Sequence, residues 1–123
     1  MHNARSISVG VSLASSIPVT RLVEAYQLAE LRGFDELWVH EDYFYHGGFA
    51  AAATALQATQ HIAVGIGIVS AMVRHPAVTA MEIATLAGAH PGRLRVGIGH
   101  GAPQWTDRRR EIGRIATIYD FNR

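Results

Sequence analysis

The chain of 123 residues has no cysteine, which excludes disulfides, thiolate zinc sites and a cysteine nucleophile, and is compatible with a reducing, cytoplasmic setting. It has no lysine either: all 11 cationic residues are arginine, set against 10 acidic ones. The formal net charge of +1 gives no overall field that would draw nucleic acid or a membrane surface. Long apolar runs are also missing. The longest, residues 63–73, is too short and too rich in glycine to span a bilayer. Arg5 followed by Ile7 to Ala14 has the outline of a secretory leader, but the same residues fit a first strand, which is the expectation here. No low-complexity segment or linker divides the sequence, so a single domain over residues 1–123 is expected.

What is present is a repeat. With 49% hydrophobic and 17% charged residues, the composition suits buried strands flanked by helices and excludes a disordered chain. Apolar, strand-like runs begin near Ile7, Leu37, Ala63 and Leu94, and each of the first three is followed by a break and a helical stretch. A period of about thirty residues belongs to parallel sheets, where each strand returns through a crossover helix. About four such units fit this chain, against roughly 250 residues for a closed eight-stranded barrel.

Ser6 to Leu13 alternates serine or glycine with Ile7, Val9, Val11 and Leu13, the period of a strand with one buried face. Ser15 and Ser16 offer caps, Pro18 suits a first helical turn, and Leu22, Ala25, Tyr26 and Ala29 recur at helical spacing up to Gly33. Asp35 to His40 predicts a second strand covered on both faces. The alanine-rich residues 49–59 predict a helix that packs closely on a sheet. A third strand is expected over Ile62 to Val69, with Gly65 and Gly67 marking a bulge or a close backbone approach. Pro76 opens a third helix with Ala77, Ala80, Met81, Ala84 and Leu86 or Ala87 inward. After the His90-Pro91-Gly92 turn, Arg93 to Ile98 reads as a fourth strand. Beyond Pro103 a fourth helix could carry Ile112, Ile115 and Tyr119 on one side.

In parallel α/β folds, ligands collect at the carboxyl ends of the strands, where loops gather and helix N-termini present backbone N–H groups. The second such loop reads His40-Glu41-Asp42-Tyr43-Phe44-Tyr45-His46. Adjacent carboxylates flanked by histidines can serve as a general acid or base; the same residues also suit an exposed acidic loop or, if they converged, a metal. Convergence is disfavoured because successive strand positions point to opposite faces, and no metal site is expected. Glycines at 65, 67, 97, 99 and 101 would let a flat ring or a phosphate lie against the main chain. Gly97 to Ala102 matches G-x-G-x-x-A, although three units precede it. His75, His90 and His100 suit caps or packing, with His100, between two glycines, the best placed to face a ligand. Arg74 suits either an anion or a carboxylate, and Arg108 to Arg110 reads as solvated helix surface rather than a nucleic-acid patch.

Four stretches, in order and spacing, resemble the bacterial luciferase-like superfamily of flavin- and deazaflavin-dependent oxidoreductases. They are Gly33 to Asp42, Val64 to Val69, Arg74 to Ala77 and Gly92 to Gly99. The resemblance implies the N-terminal half of a TIM (β/α)8 barrel that binds FMN or the deazaflavin coenzyme F-420 across the strand ends and transfers hydride to or from a small-molecule substrate. It further implies a non-prolyl cis peptide at Gly67-Ile68. Glu41 and Asp42 would be catalytic or ring-contacting residues, and Gly67, Ile68, Gly99, His100 and Gly101 the cofactor floor. Ala102 stands where some deazaflavin dehydrogenases of the family carry an acidic residue, and residues 106–123 diverge from the family pattern. A half barrel exposes strand edges, so a homo-oligomer or a complementary half-barrel partner is expected. Two alternatives stand beside this reading: a truncated, non-catalytic remnant or interaction domain of the same fold, and a small Rossmann-like nucleotide-binding domain.

Overall fold

Leu37 and Val39 alternate with Glu36 and Trp38, and that alternation builds the centre of the sheet. In the computed structural model, which describes residues 7–101, Glu36–Val39 form strand β2 and Ala63–Ser70 form β3. Gly10–Ser12 (β1) and Leu94–Gly99 (β4) flank them. All three pairings are parallel and the spatial order is β1-β2-β3-β4, with Leu37 opposite Val64 and Val39 opposite Ile66. The crossovers are α1 (Leu22–Leu31), entered through a 3-10 turn at Val19–Arg21, then α2 (Gly48–Ala58) and α3 (Pro76–Ala89).

Strands that neighbour in space as they do in sequence make the wall of a barrel. A Rossmann-like domain needs a point where strand order reverses, and none occurs among the described strands, so that alternative fails. The fourth helix, the arginine run at 108–110, Ala102 and the divergent tail all fall outside the described residues. Among the described residues no helix is long and apolar enough to cross a membrane, and no group of side chains could hold a metal ion.

The core lies on one face of the sheet. Leu37, Val39, Val64, Ile66 and Val69 meet Leu22, Tyr26 and Ala29 of α1 and Ala51, Ala52, Ala55 and Leu56 of α2. Small residues on α2 bring its backbone close to the sheet, which is why alanine suits those positions. At the foot of the sheet, Glu30 accepts the backbone N–H groups of Gln60, His61 and Ile62 as the chain enters β3. Burial alone would raise the Glu30 pKa, but those three donors outweigh it and hold the carboxyl below its ordinary value. Arg93 closes the same end by donating to the carbonyls of Leu56, Thr59 and Ile62 and to the Thr59 hydroxyl.

Three expectations shift. Strand β1 spans three residues rather than eight, because ladder pairing with β2 extends only from Gly10 to Ser12. Neither Ser15 nor Ser16 caps α1: Pro18 precedes the 3-10 turn, and the Ser15 hydroxyl is given to Asp42. On helix α3, Ala77, Ala80, Met81, Ala84 and Ala87 of the expected inward face are exposed, while Leu86, the expected alternative to Ala87, packs against the core together with Ile83, which was not expected there.

Candidate functional site

The loops that follow the four strands meet at one rim, the carboxyl end of the sheet. There the pair of carboxylates divides between two jobs. Glu41 turns toward the helices: its Oε2 accepts the Gly48 N–H at the start of α2 (2.7 Å), and both oxygens are gripped by the Arg74 guanidinium. Arg74 also lies 5.1 Å over the Phe49 ring and 3.6 Å from Glu82, so one arginine joins the second and third loops to α2 and α3. Burial pushes the Glu41 pKa up, yet the Arg74 hydrogen bonds, the Gly48 N–H and the guanidinium charge bring it below the ordinary value. The bond to Glu41 in turn raises the Arg74 pKa against its partial burial. A carboxylate held this way is ionised and fully engaged, which suits support of the loops better than proton transfer.

Asp42 stays at the rim, half-buried, and accepts the Ser15 hydroxyl. The choice left open for Arg74 between an anion and a carboxylate is answered by Glu41. His46 donates to the Ile17 carbonyl (2.8 Å) and fastens the second loop to the first, while His75 caps α3 by accepting the Ala77 N–H.

The sheet face away from the helices is organised by two large side chains and the glycines beneath them. The Trp38 ring covers β3 so closely that a Cβ at Gly65 would stand 2.6 Å from its Cζ3. Ile68 covers β4, where a Cβ at Gly97 would meet its Cγ2 at 2.9 Å and one at Gly99 would collide with its Cδ1. Glycine is therefore required at 65 by the Trp38 ring and at 97 by Ile68 Cγ2 and the Ile66 carbonyl, whereas at 99 the obstacle is the movable end of the Ile68 side chain, causes that composition alone does not reveal. The Gly67–Ile68 peptide is cis, and the β3 to β4 register shifts between Ile66 and Val69. Ile68 is 41% exposed, an apolar surface at the rim. Beside it, the Ser70 hydroxyl donates to the His100 carbonyl (3.3 Å), and Gly101 turns with φ +74°.

His40, expected as a flank of the carboxylates or, had they converged, a metal ligand with them, makes two contacts across the sheet. Its Nδ1 lies 2.7 Å from the Gly67 carbonyl and its Nε2 2.6 Å from the Ser12 hydroxyl. No periodicity signals that contact; only the parallel register of β1, β2 and β3 creates it. Asp42, Gly67, Ile68, Gly99, His100 and Gly101 thus share one end of the sheet, whereas Glu41 shares that end but faces the helix layer.

The sequence model of the luciferase-like monooxygenase family matches residues 4–115. The chain belongs to that family. It is 32% identical over 95 residues to a 5,10-methylenetetrahydromethanopterin reductase of Methanopyrus kandleri, covering 77% of this chain and 27% of the reductase. It is 35% identical over 83 residues to an F420-dependent glucose-6-phosphate dehydrogenase of Beutenbergia cavernae, covering 60% and 25%. The solved structure of the coenzyme F420-dependent tetrahydromethanopterin reductase from Methanopyrus kandleri superposes with a TM-score of 0.74 at 30% identity, over 84% of this chain and 30% of that one. An FMN-bound Baeyer-Villiger monooxygenase component from Pseudomonas putida shares the fold, with a TM-score of 0.70 at 21% identity over 80% of this chain and 31% of that one. The luciferase-like chain described here spans less than a third of the length of these relatives, and its four strands match the N-terminal part of their TIM-barrel fold.

Proposed function

We propose that this chain forms the N-terminal rim of a luciferase-like oxidoreductase that moves hydride through the deazaflavin coenzyme F-420 or FMN, acting on a small-molecule substrate. The observation that carries the reading is the half-exposed Ile68 side chain, joined to Gly67 and standing over the main chain of Gly97 and Gly99, with Asp42 and His40 at the same rim. An apolar surface bordered by close backbone and a few polar groups fits a flat heteroaromatic ring. Reductases and dehydrogenases named for F420 among its relatives support the deazaflavin, and the FMN-bound neighbour keeps the flavin open.

Such a ring, when bound, supplies a two-electron site that accepts or gives hydride. The chain's own part follows from its geometry. Ile68 and the glycine main chain would support one face of the ring, and His100 would border it. Asp42, with Ser15 as its hydrogen-bond partner, would hold or move a proton beside it, while Glu41 keeps the rim in shape through Arg74. A cytoplasmic location belongs to the same proposal, as does association: β1 and β4 are edges among the described strands, and an open edge is a template for a second copy or for a complementary half-barrel.

Fluorescence titration of the purified chain with FMN and with coenzyme F-420 tests the proposal. Saturable binding of one, weakened in Ile68→Asp, supports it and selects the cofactor. Absence of binding to either overturns it in favour of a non-catalytic remnant or interaction domain.

A further inference from the structure

Gly67 and Ile68 have no register partner on either side. The β2 to β3 pairing ends at Val39 with Ile66, and the β3 to β4 pairing passes from Ile66 directly to Val69. A backbone carbonyl left outside the ladder needs another donor, and for Gly67 that donor is the His40 ring at 2.7 Å. A carbonyl only accepts, so Nδ1 carries the proton. In that tautomer Nε2 accepts the Ser12 hydroxyl at 2.6 Å. One side chain thereby links β1, β2 and β3 on the sheet face opposite the core, next to the residue whose side chain lies over Gly97 and Gly99 of β4.

We propose that His40 and Ser12 are positioning residues: the Ser12–His40 pair holds the Gly67 carbonyl and so sets where Ile68 stands at the rim. The consequence for a bound ring rests on the function proposed above; the placement of Ile68 does not. Because His40 is half-buried and Ser12 exposed, while the core packs on the other face, their removal should leave the fold standing and move only the rim.

Methyl-labelled isoleucine spectra of the free protein read this directly, with Ile68 assigned through Ile68→Val. In His40→Ala the Ile68 δ1-methyl signal should shift or broaden, while that of Ile66, buried on the opposite face, stays in place. His40→Asn, whose amide keeps a donor near Nδ1, should restore the wild-type position, and Ser12→Ala should give a smaller displacement in the same direction. Where the wild type binds FMN or F-420, His40→Ala should weaken that binding about tenfold, with rescue by His40→Asn. An unmoved Ile68 signal, an Ile66 signal that moves equally, or no rescue by asparagine would overturn the proposal. If His40→Ala loses its far-ultraviolet spectrum, Ser12→Ala, which removes a single hydroxyl, carries the same comparison. A wild type that binds neither cofactor defeats the functional reading, and the Ile68 signal still decides the positioning one.

Discussion

Helices α2 and α3 flank the same strand and have similar compositions, with six alanines in one and five in the other, yet they live in different surroundings. Helix α2 buries Gly48, Phe49, Ala51, Ala52, Ala55 and Leu56, lodged between α1 and the sheet. Helix α3 has no fully buried residue. A groove of about 410 Å³ separates it from α2, and a cavity of about 200 Å³ lies between it and strands β3 and β4. Equal apolar content therefore does not give equal burial. What differs is whether neighbours close around a helix on both sides, and most helical stability comes from that closure.

Stability measurements can break or sharpen this contrast. The largest effect is expected in the packed region: Leu37→Ala, at a fully buried site beside Val64, should cost about 2–5 kcal/mol in urea unfolding. A loss below 1 kcal/mol there would show that the core is not closed. Next comes the hinge between the two regions. Glu41→Gln leaves Arg74, 22% exposed, with Glu82 at 3.6 Å in place of its two-oxygen grip on Glu41, and should cost about 2–3 kcal/mol, less than for a fully enclosed pair. A smaller change follows from acid. Glu30 and Glu41 both titrate below 4.5 when folded, so the stability they contribute is present above that pH and lost as pH falls through the folded values. The urea midpoint should hold from neutral pH down to about 4.5 and then drop, with a shallower drop in Glu41→Gln. The smallest effect belongs to α3: Met81→Ala, at a site 67% exposed, should change stability by less than about 0.5 kcal/mol. A cost above 1.5 kcal/mol would mean that α3 is covered in solution and that its difference from α2 vanishes.

Much of the architecture could be read from residue order. The strands at 36–39, 63–70 and 94–99 lie within one or two residues of their predicted limits, because apolar runs bounded by glycine and polar residues have little alternative. The cis bond at Gly67–Ile68 and the gathering of Asp42, Gly99, His100 and Gly101 at one rim followed from the family resemblance and from the parallel sheet. The inward face of α3 was read correctly only at Leu86, because alanines at many positions satisfy helical spacing on several faces at once. The contacts of Glu41 and His40 were hidden for another reason. Their partners, Arg74 and the pair Ser12 and Gly67, lie roughly thirty residues away, and pairing at that range is decided by register rather than by local pattern.

The clasp that Glu30 and Arg93 form at the foot of the sheet bears on how the rim can change over time. Since entry into β3 and β4 is fastened there, far from the loops that border Ile68, substitutions at the open end need not disturb strand alignment. The residues of the rim could then drift from one descendant to another while the scaffold beneath stays put, with surface and foundation inherited separately.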